Sequence, residues 1–334
     1  MIGHTWAQQL LSRAAQRNRL AHAYLFVGPT SVGKTSLAMH LASLLVCSSQ
    51  IGRPCGVCRG CKSVARQGHP DVRLIERASD RRDITIEQVR QLEGEIALTP
   101  YEAPHKLFCV AGADLMNDAA ASALLKTLEE PPPNASLVLT AADPMSLPIT
   151  IRSRCQTLTL QPVPAHVIAD ALQADLKVED DRAKELATLA HGRPGWAVRA
   201  TTDHDLVERE AAAYRAISAL PRQGPYSRMV AIEALLGKGS FLETRARALD
   251  LLSRLEGWWR DALFAAQTGV APDLRRFMVG AVDSVPASLP EIVGFLLKIQ
   301  ETASRVEANV TPRLAVDHLI GMMPTIRSVD RASS

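Results

Sequence analysis

Aromatic side chains are scarce in this chain: four tryptophans, four tyrosines and six phenylalanines among 334 residues. So few rings leave little stacking material for reading bases. An excess of one charge is also missing, since 38 Lys and Arg face 35 Asp and Glu. The resulting +3 does not by itself demand a nucleic-acid partner. No apolar run approaches the ~18 residues of a membrane span. The start, Met1-Ile2-Gly3-His4-Thr5-Trp6, lacks a basic segment followed by an apolar core. No internal repeat and no low-complexity tract interrupts the sequence. These absences point to a cytoplasmic protein with no membrane partner. A 47% apolar and 22% charged composition over this length allows two or three domains with large cores.

What is present begins at Gly28-Pro-Thr-Ser-Val-Gly-Lys-Thr35, which fits G-x-x-x-x-G-K-[ST]. The apolar run Ala23-Tyr24-Leu25-Phe26-Val27 before it reads as a buried strand. The segment Ser36–Leu45 after it has helical spacing. In that setting Gly28 and Gly33 let backbone amides approach phosphate oxygens, Lys34 reaches the β- and γ-phosphates, and the Thr35 hydroxyl ligates Mg²⁺. ATP or ADP with Mg²⁺ is the ligand this loop can take. Hydrolysis needs more: an apolar strand ending in acids that hold the metal and orient water. The matching strand, Lys106-Leu107-Phe108-Cys109-Val110, ends in Ala111-Gly112, and the next, Ser136–Thr140, ends in Ala141-Ala142. None of these four can polarise water or sense a γ-phosphate, so no intrinsic ATPase activity is expected. Asp114 lies too late to replace the missing acids and is expected to cap a helix over 115–129.

Four of the six cysteines cluster as Cys47-x7-Cys55-x2-Cys58-x2-Cys61, with Gly52, Pro54, Gly56 and Gly60 supplying turns. Four thiolates in one short excursion suit a closed tetrahedral Zn²⁺ site of structural type. Disulfides do not suit a chain without a secretion signal. Cys109 and Cys155 read as small apolar packing residues.

Three stretches carry a resemblance: Leu20-Ala21-His22-Ala23-Tyr24-Leu25-Phe26, then Asn117 through Leu124-Leu125-Lys126-Thr127-Leu128-Glu129-Glu130-Pro131-Pro132, then Leu147-Pro148-Ile149-Thr150-Ile151-Arg152-Ser153-Arg154-Cys155. Together they resemble the AAA+ subunits of bacterial clamp loaders across roughly residues 1–160. That family contains gamma/tau motors and a non-hydrolysing stator. Ala111, Gly112, Ala141 and Ala142 depart from the motor pattern. So does Gly195 in His191-Gly192-Arg193-Pro194-Gly195, where motors carry a sensor arginine. The resemblance implies that Arg154 projects to the γ-phosphate of a neighbour's ATP as an arginine finger. A local salt bridge is the plainer role for that residue, and Arg152 reads as scaffold. A zinc module after the P-loop helix also fits the resemblance.

Strands expected at 23–27, 72–76, 106–111, 136–140 and 155–160 alternate with helices, implying a parallel three-layer sheet. The expected architecture is α/β. A P-loop AAA+ domain spans 1–161, with the zinc module at 47–61. A small helical lid covers 162–205, and an all-α C-terminal collar that mediates oligomerisation covers 206–334. Residues 1–20 are expected to form a helix with Trp6, Leu10, Leu11 and Ala14 on one face. A long helix near 241–264 places Phe241, Leu242, Ala246, Leu249, Leu252, Leu255, Trp259, Leu263 and Phe264 close to a 3.6 period. The basic pairs Arg81-Arg82 and Arg275-Arg276 read as solvated faces.

The resemblance implies a stator of the replicative clamp loader. Its partners would be gamma/tau and delta subunits, the sliding clamp through the complex, and primer–template DNA in the assembled ring. Two rivals are a gamma/tau-type ATP-hydrolysing motor and a zinc-dependent nucleic-acid-binding protein with a vestigial P-loop. The Ala111-Gly112 strand end argues against the first. The second would rest on Arg53, Arg59 and Lys62 alone.

Overall fold

The five residues Ala23–Val27 are apolar and all buried, as in a strand covered on both faces. This strand, β1, sits inside a five-stranded sheet seen in a computed structural model. It describes residues 1–324 apart from 50, 79, 80, 82, 143, 269–287 and 309. Arg82, Arg275 and Arg276 therefore lie outside the described residues. The described residues divide into two compact units, Met1–Ala171 with Gly192–Trp196, and Leu172–His191 with the chain from Ala197 onward.

In the first unit the elements run α1 (Thr5–Gln16), β1, α2 (Lys34–Val46), α3 (Arg59–Ala65), β2 (Val72–Glu76), α4 (Ile86–Ile96) and β3 (Lys106–Ala111). They continue with α5 (Asp118–Glu129), β4 (Ala135–Ala141), α6 (Ile149–Arg152), β5 (Gln156–Thr159) and the start of α7 (Ala165–Leu176). All strand pairings are parallel, in the order β2-β3-β4-β1-β5. The period-2 alternation of β1 divides its side chains between two cores. Ala23, Leu25 and Val27 join Val89, Leu92, Leu124 and Leu128 from α4 and α5. Tyr24 and Phe26 join Ala7, Leu11, Leu37 and Leu41 from α1 and α2. The result is the expected three layers.

The face of α1 agrees with expectation only in part. Leu11 is buried and Ala14 half-buried as expected, but Trp6 is 50% and Leu10 41% exposed, and Ala7 is buried in their place. The packing of α1 on α2 selects the stripe one residue along from the bulkier one. Asp114 differs too. It lies in a 3₁₀ turn, Ala113–Leu115, and the cap of α5 is Asn117, whose side chain accepts the Ala120 N–H at 2.8 Å. The Asp114 carboxylate instead accepts the Ala142 N–H at 2.8 Å, tying the ends of β3 and β4 together.

The loop leading into β3 hangs on one buried acid. Asp71 accepts the N–H groups of Tyr101, Glu102 and Ala103 at 2.6, 2.8 and 2.8 Å. Burial alone would raise its pKa, but the three donors outweigh burial and hold it below the usual carboxylate value. A depressed pKa contributes stability at pH above about 4, lost as pH falls through the folded-state value. Asp71→Ala removes the acceptor and leaves three amides to find water, so we expect a loss of about 2–3 kcal/mol at pH 7. Urea unfolding at pH 7 and pH 3 checks this, and the mutant's deficit should shrink at pH 3.

The second unit is helical: the end of α7, then α8 (Asp180–Leu189), α9 (Pro194–Ala200), α10 (His204–Ala219), α11 (Pro225–Leu236), α12 (Phe241–Thr268), α13 (Leu289–Glu307) and α14 (Pro312–Gly321). The first residues of α9, through Trp196, belong to the first unit. Along α12 the buried apolar side chains are Ala248, Leu251, Leu252, Leu255, Trp258, Trp259 and Ala262, and Arg245 is buried beside them. Leu252, Leu255 and Trp259 thus face inward as expected, but Phe241, Ala246 and Phe264 are exposed. Trp259 packs edge-on against Trp258 and Phe295, with ring centroids 5.0 Å apart in each pair. Among the described residues no helix is long and apolar enough to cross a membrane.

Candidate functional site

The P-loop joins the C-terminal end of β1 to α2, where β1 lies between β4 and β5. Only glycine fits at its first position. Gly28 has φ 149°, and a Cβ there would lie 2.4 Å from the Leu160 carbonyl oxygen. Gly33 caps α2 with φ 117°, so the helix N-terminus and its free N–H groups open toward the loop. Lys34 Nζ donates to the carbonyls of Gly28 at 2.5 Å and Pro29 at 2.9 Å. Burial lowers its pKa to about 8, opposed in part by the negative charge of Asp114. Phosphate oxygens at the loop would favour its charged form. Thr35 sits in the first turn of α2, beside Lys34.

Ala111 ends β3 and Gly112 follows it, with no carboxylate at either position. Gly112 takes a left-handed φ of 79° and donates its N–H to Thr140 Oγ1 at 3.0 Å. An acid restored there would carry backbone strain as well as lose the glycine's freedom. On the neighbouring strand Ala141 accepts the Gly28 N–H, and Ala142 is held by Asp114. Gly195 closes over the loop from α9, donating its N–H to the Ser31 carbonyl at 2.9 Å. A Cβ at Gly195 would stand 3.0 Å from that same oxygen, so any larger residue there must move the loop.

Sequence reasoning passed over two contacts here. His4, with a left-handed φ of 54°, brings its ring Nε2 to 2.9 Å from the Val32 carbonyl. Asp114 supplies the charge felt by Lys34. The only sequence signals were a polar residue just ahead of a helix and an acid in an otherwise apolar stretch.

The four clustered cysteines do come together, with all four sulfurs within 4.8 Å of one another. Their backbone prepares them as acceptors. The N–H groups of Cys55, Cys58 and Cys61 donate to the sulfurs of Cys47, Cys55 and Cys58, each at 3.4 Å. Donors on the sulfur, the Cys61 N–H first, hold the Cys58 thiol down to about 5, while burial pushes Cys61 up to about 12. Arg53 Nη2 donates to the Cys47 carbonyl, closing the first turn. Gly60 passes so near Val46 that a Cβ would lie 2.5 Å from its carbonyl oxygen. Four sulfurs with no other ligand type fit a structural Zn²⁺, since a tetrahedron of 2.3 Å Zn–S bonds sets sulfurs roughly 3.8 Å apart. Cys109 and Cys155 stand apart: Cys109 is buried in the sheet and Cys155 packs against the core.

Arg154 lies just past α6, in the turn that leads into β5. Its Nη1 donates to the Thr150 carbonyl at 3.0 Å and its Nη2 pairs with Glu129 at 2.8 Å. Arg152 Nη1 instead reaches Met145 Sδ at 3.0 Å.

A parallel sheet ordered β2-β3-β4-β1-β5, with a P-loop at the mouth of its inner strand and a helical segment closing over it, defines a P-loop protein of the AAA+ class. Residues 3–164 match the family described as DNA polymerase III, delta subunit. DNA polymerase III subunit delta' of Bacillus subtilis is 29% identical over 320 residues, spanning 94% of both chains. Subunit delta' of Pseudomonas aeruginosa is 39% identical over 153 residues, 46% of this chain and 47% of that one. Subunit tau of Bacillus subtilis is 29% identical over 198 residues, 58% of this chain and 35% of that one. The chain belongs to the delta-prime family of DNA polymerase III subunits.

Proposed function

We propose that this protein is the non-hydrolysing stator of a bacterial clamp loader, working in the cytoplasm. It assembles there with gamma/tau and delta subunits to load the sliding clamp on primed DNA. The observation that carries this reading is a division of labour within one domain. The positions that would activate water are Ala111 and Gly112, yet Arg154 stands at the surface with a charged planar fork. Arg154 then serves a neighbouring subunit, stabilising the charge that develops on the phosphoryl group of that subunit's ATP. Gly28, Gly33, Lys34 and Thr35 keep the capacity to hold ATP or ADP with Mg²⁺, as a bound ligand rather than a substrate.

Within this reading residues 162–205 act as the lid over the P-loop, and residues 206–334 as the collar that holds the ring. Cys47, Cys55, Cys58 and Cys61 hold Zn²⁺, which ties the excursion between α2 and β2 into a rigid module and takes no part in chemistry.

Reconstitution tests the proposal. The purified chain alone should hydrolyse no ATP. Mixed with gamma/tau and delta subunits, it should form a stable complex whose ATP hydrolysis rises with clamp and primed DNA. Turnover by the isolated chain would overturn the stator reading in favour of a motor. Failure to enter the complex would remove the clamp-loader assignment.

A further inference from the structure

We propose that Glu129 is the positioning residue for Arg154, fixing the direction in which the guanidinium faces an incoming phosphate. This rests on the finger reading given above. The two residues are 25 positions apart in sequence and meet through the packing of α5 against α6. Arg154 is held at two points, by Glu129 Oε1 at 2.8 Å and by the Thr150 carbonyl at 3.0 Å. Each bond uses one N–H on a different Nη, and the guanidinium keeps further donors for a phosphate.

Both supports are themselves anchored. Leu124 and Leu128 sink α5 into the core, Ile151 does the same for α6, and Pro131, Pro132 and Pro133 stop the chain just past Glu129. The carboxylate therefore sits at a fixed place rather than on a wandering loop.

Helix stability does not account for an acid at this place. Glu129 is the last residue of α5 and Glu130 follows as its C-cap. Negative charge there opposes the helix dipole, which favours cations such as Lys126 in that turn. Nor does the pair add much to folding, because its side chains are 36% (Arg154) and 53% (Glu129) exposed. What the pair does achieve is directional. An arginine tethered in this way loses less rotational freedom when it meets a nucleotide, so more of its charge is already aligned as the reaction begins.

The test is a double-mutant cycle in the complex with gamma/tau and delta subunits, clamp and primed DNA. It compares wild type, Glu129→Gln, Arg154→Ala and the double variant. Glu129→Gln should lower kcat for ATP about two- to fivefold, the scale of an exposed ion pair, with KM little changed. Adding Glu129→Gln to Arg154→Ala should change nothing further, a result that a merely structural role for Glu129 would not give. If Arg154→Ala is impaired while Glu129→Gln is normal or faster, the positioning role falls and the finger stands. An equal Glu129→Gln loss in both backgrounds also overturns it, since Glu129 would then act elsewhere. If Arg154→Ala has full activity, the finger reading fails and this inference fails with it.

Discussion

If the four-cysteine module holds zinc as proposed, removing the metal should unfold that module and destabilise the whole first unit. Chelation under reducing conditions, or Cys58→Ser, should take bound zinc from about one ion per chain to none. The argument starts from helix length. α3 has seven residues, too few to persist alone in water. Its N-cap is Cys58, whose sulfur accepts the Cys61 N–H. With a metal bound, that thiolate would cap the helix and anchor it at once. From α3, Cys61 and Val64 are buried, and Val64 joins the core formed by α1, α2 and the sheet. Structural zinc in small peptides contributes about 10–16 kcal/mol of apparent folding free energy at neutral pH. Only part of that reaches a domain with its own core, so a loss of about 3–5 kcal/mol is expected, comparable to truncating a buried large side chain. Acid should mimic chelation, because the ligands must be thiolates. Elemental analysis together with thermal melting decides the matter. A chain purified without metal that melts unchanged on adding chelator would rule the zinc site out.

How much of this was legible beforehand follows a physical divide between local and non-local signals. The P-loop, its flanking strand and helix, and the cysteine spacing are local, so Gly28, Gly33, Lys34, Thr35 and the four cysteines could be read directly, and the structure brings each set together. The inner strands β1, β3 and β4 were legible as short, largely apolar runs. The strands at the edges of the sheet, β2 and β5, carry Arg73, Glu76 and Gln156 among their residues and were placed by their alternation with helices. What escaped was decided between segments. In α1 the expected face held Leu11 correctly, but only the partner helix decides that Ala7 is buried beside it while Trp6 and Leu10 stay exposed. Asp114 stood near a helix start and read as its cap, but Asn117 was better placed, and the acid turned to β4. The lid glycine could be noted as an absent arginine. That its N–H reaches Ser31, so that a side chain there would crowd the loop, required the fold. Glu129 sat within a motif and drew no attention of its own, because its partner is distant in the chain.

On the proposed stator reading, Arg154→Ala should nearly abolish hydrolysis at the neighbouring ATP site while leaving the chain folded and assembled. The two halves of that expectation have different origins. Stability should barely change, since Arg154 makes an exposed ion pair and one bond to a carbonyl, together contributing about 1 kcal/mol or less. Catalysis should fall by about 10³-fold at that site, because an arginine supplied in trans acts on charge that develops only in the transition state. Arg154→Lys should rescue little. An ammonium keeps the charge but lacks the planar fork that can engage two phosphate oxygens. Single-turnover hydrolysis in the reconstituted complex reads the site directly, and co-elution with a normal melting curve shows that the variant is intact. The same measurement ranks the two arginines. Arg152 is engaged with Met145 and its Nε is buried, so Arg152→Ala should disturb packing around α6 and affect melting more than turnover. Full single-turnover activity in an assembled Arg154→Ala complex would leave the protein as a brace for the ring, with Arg154 bound to Glu129 as an ordinary surface ion pair.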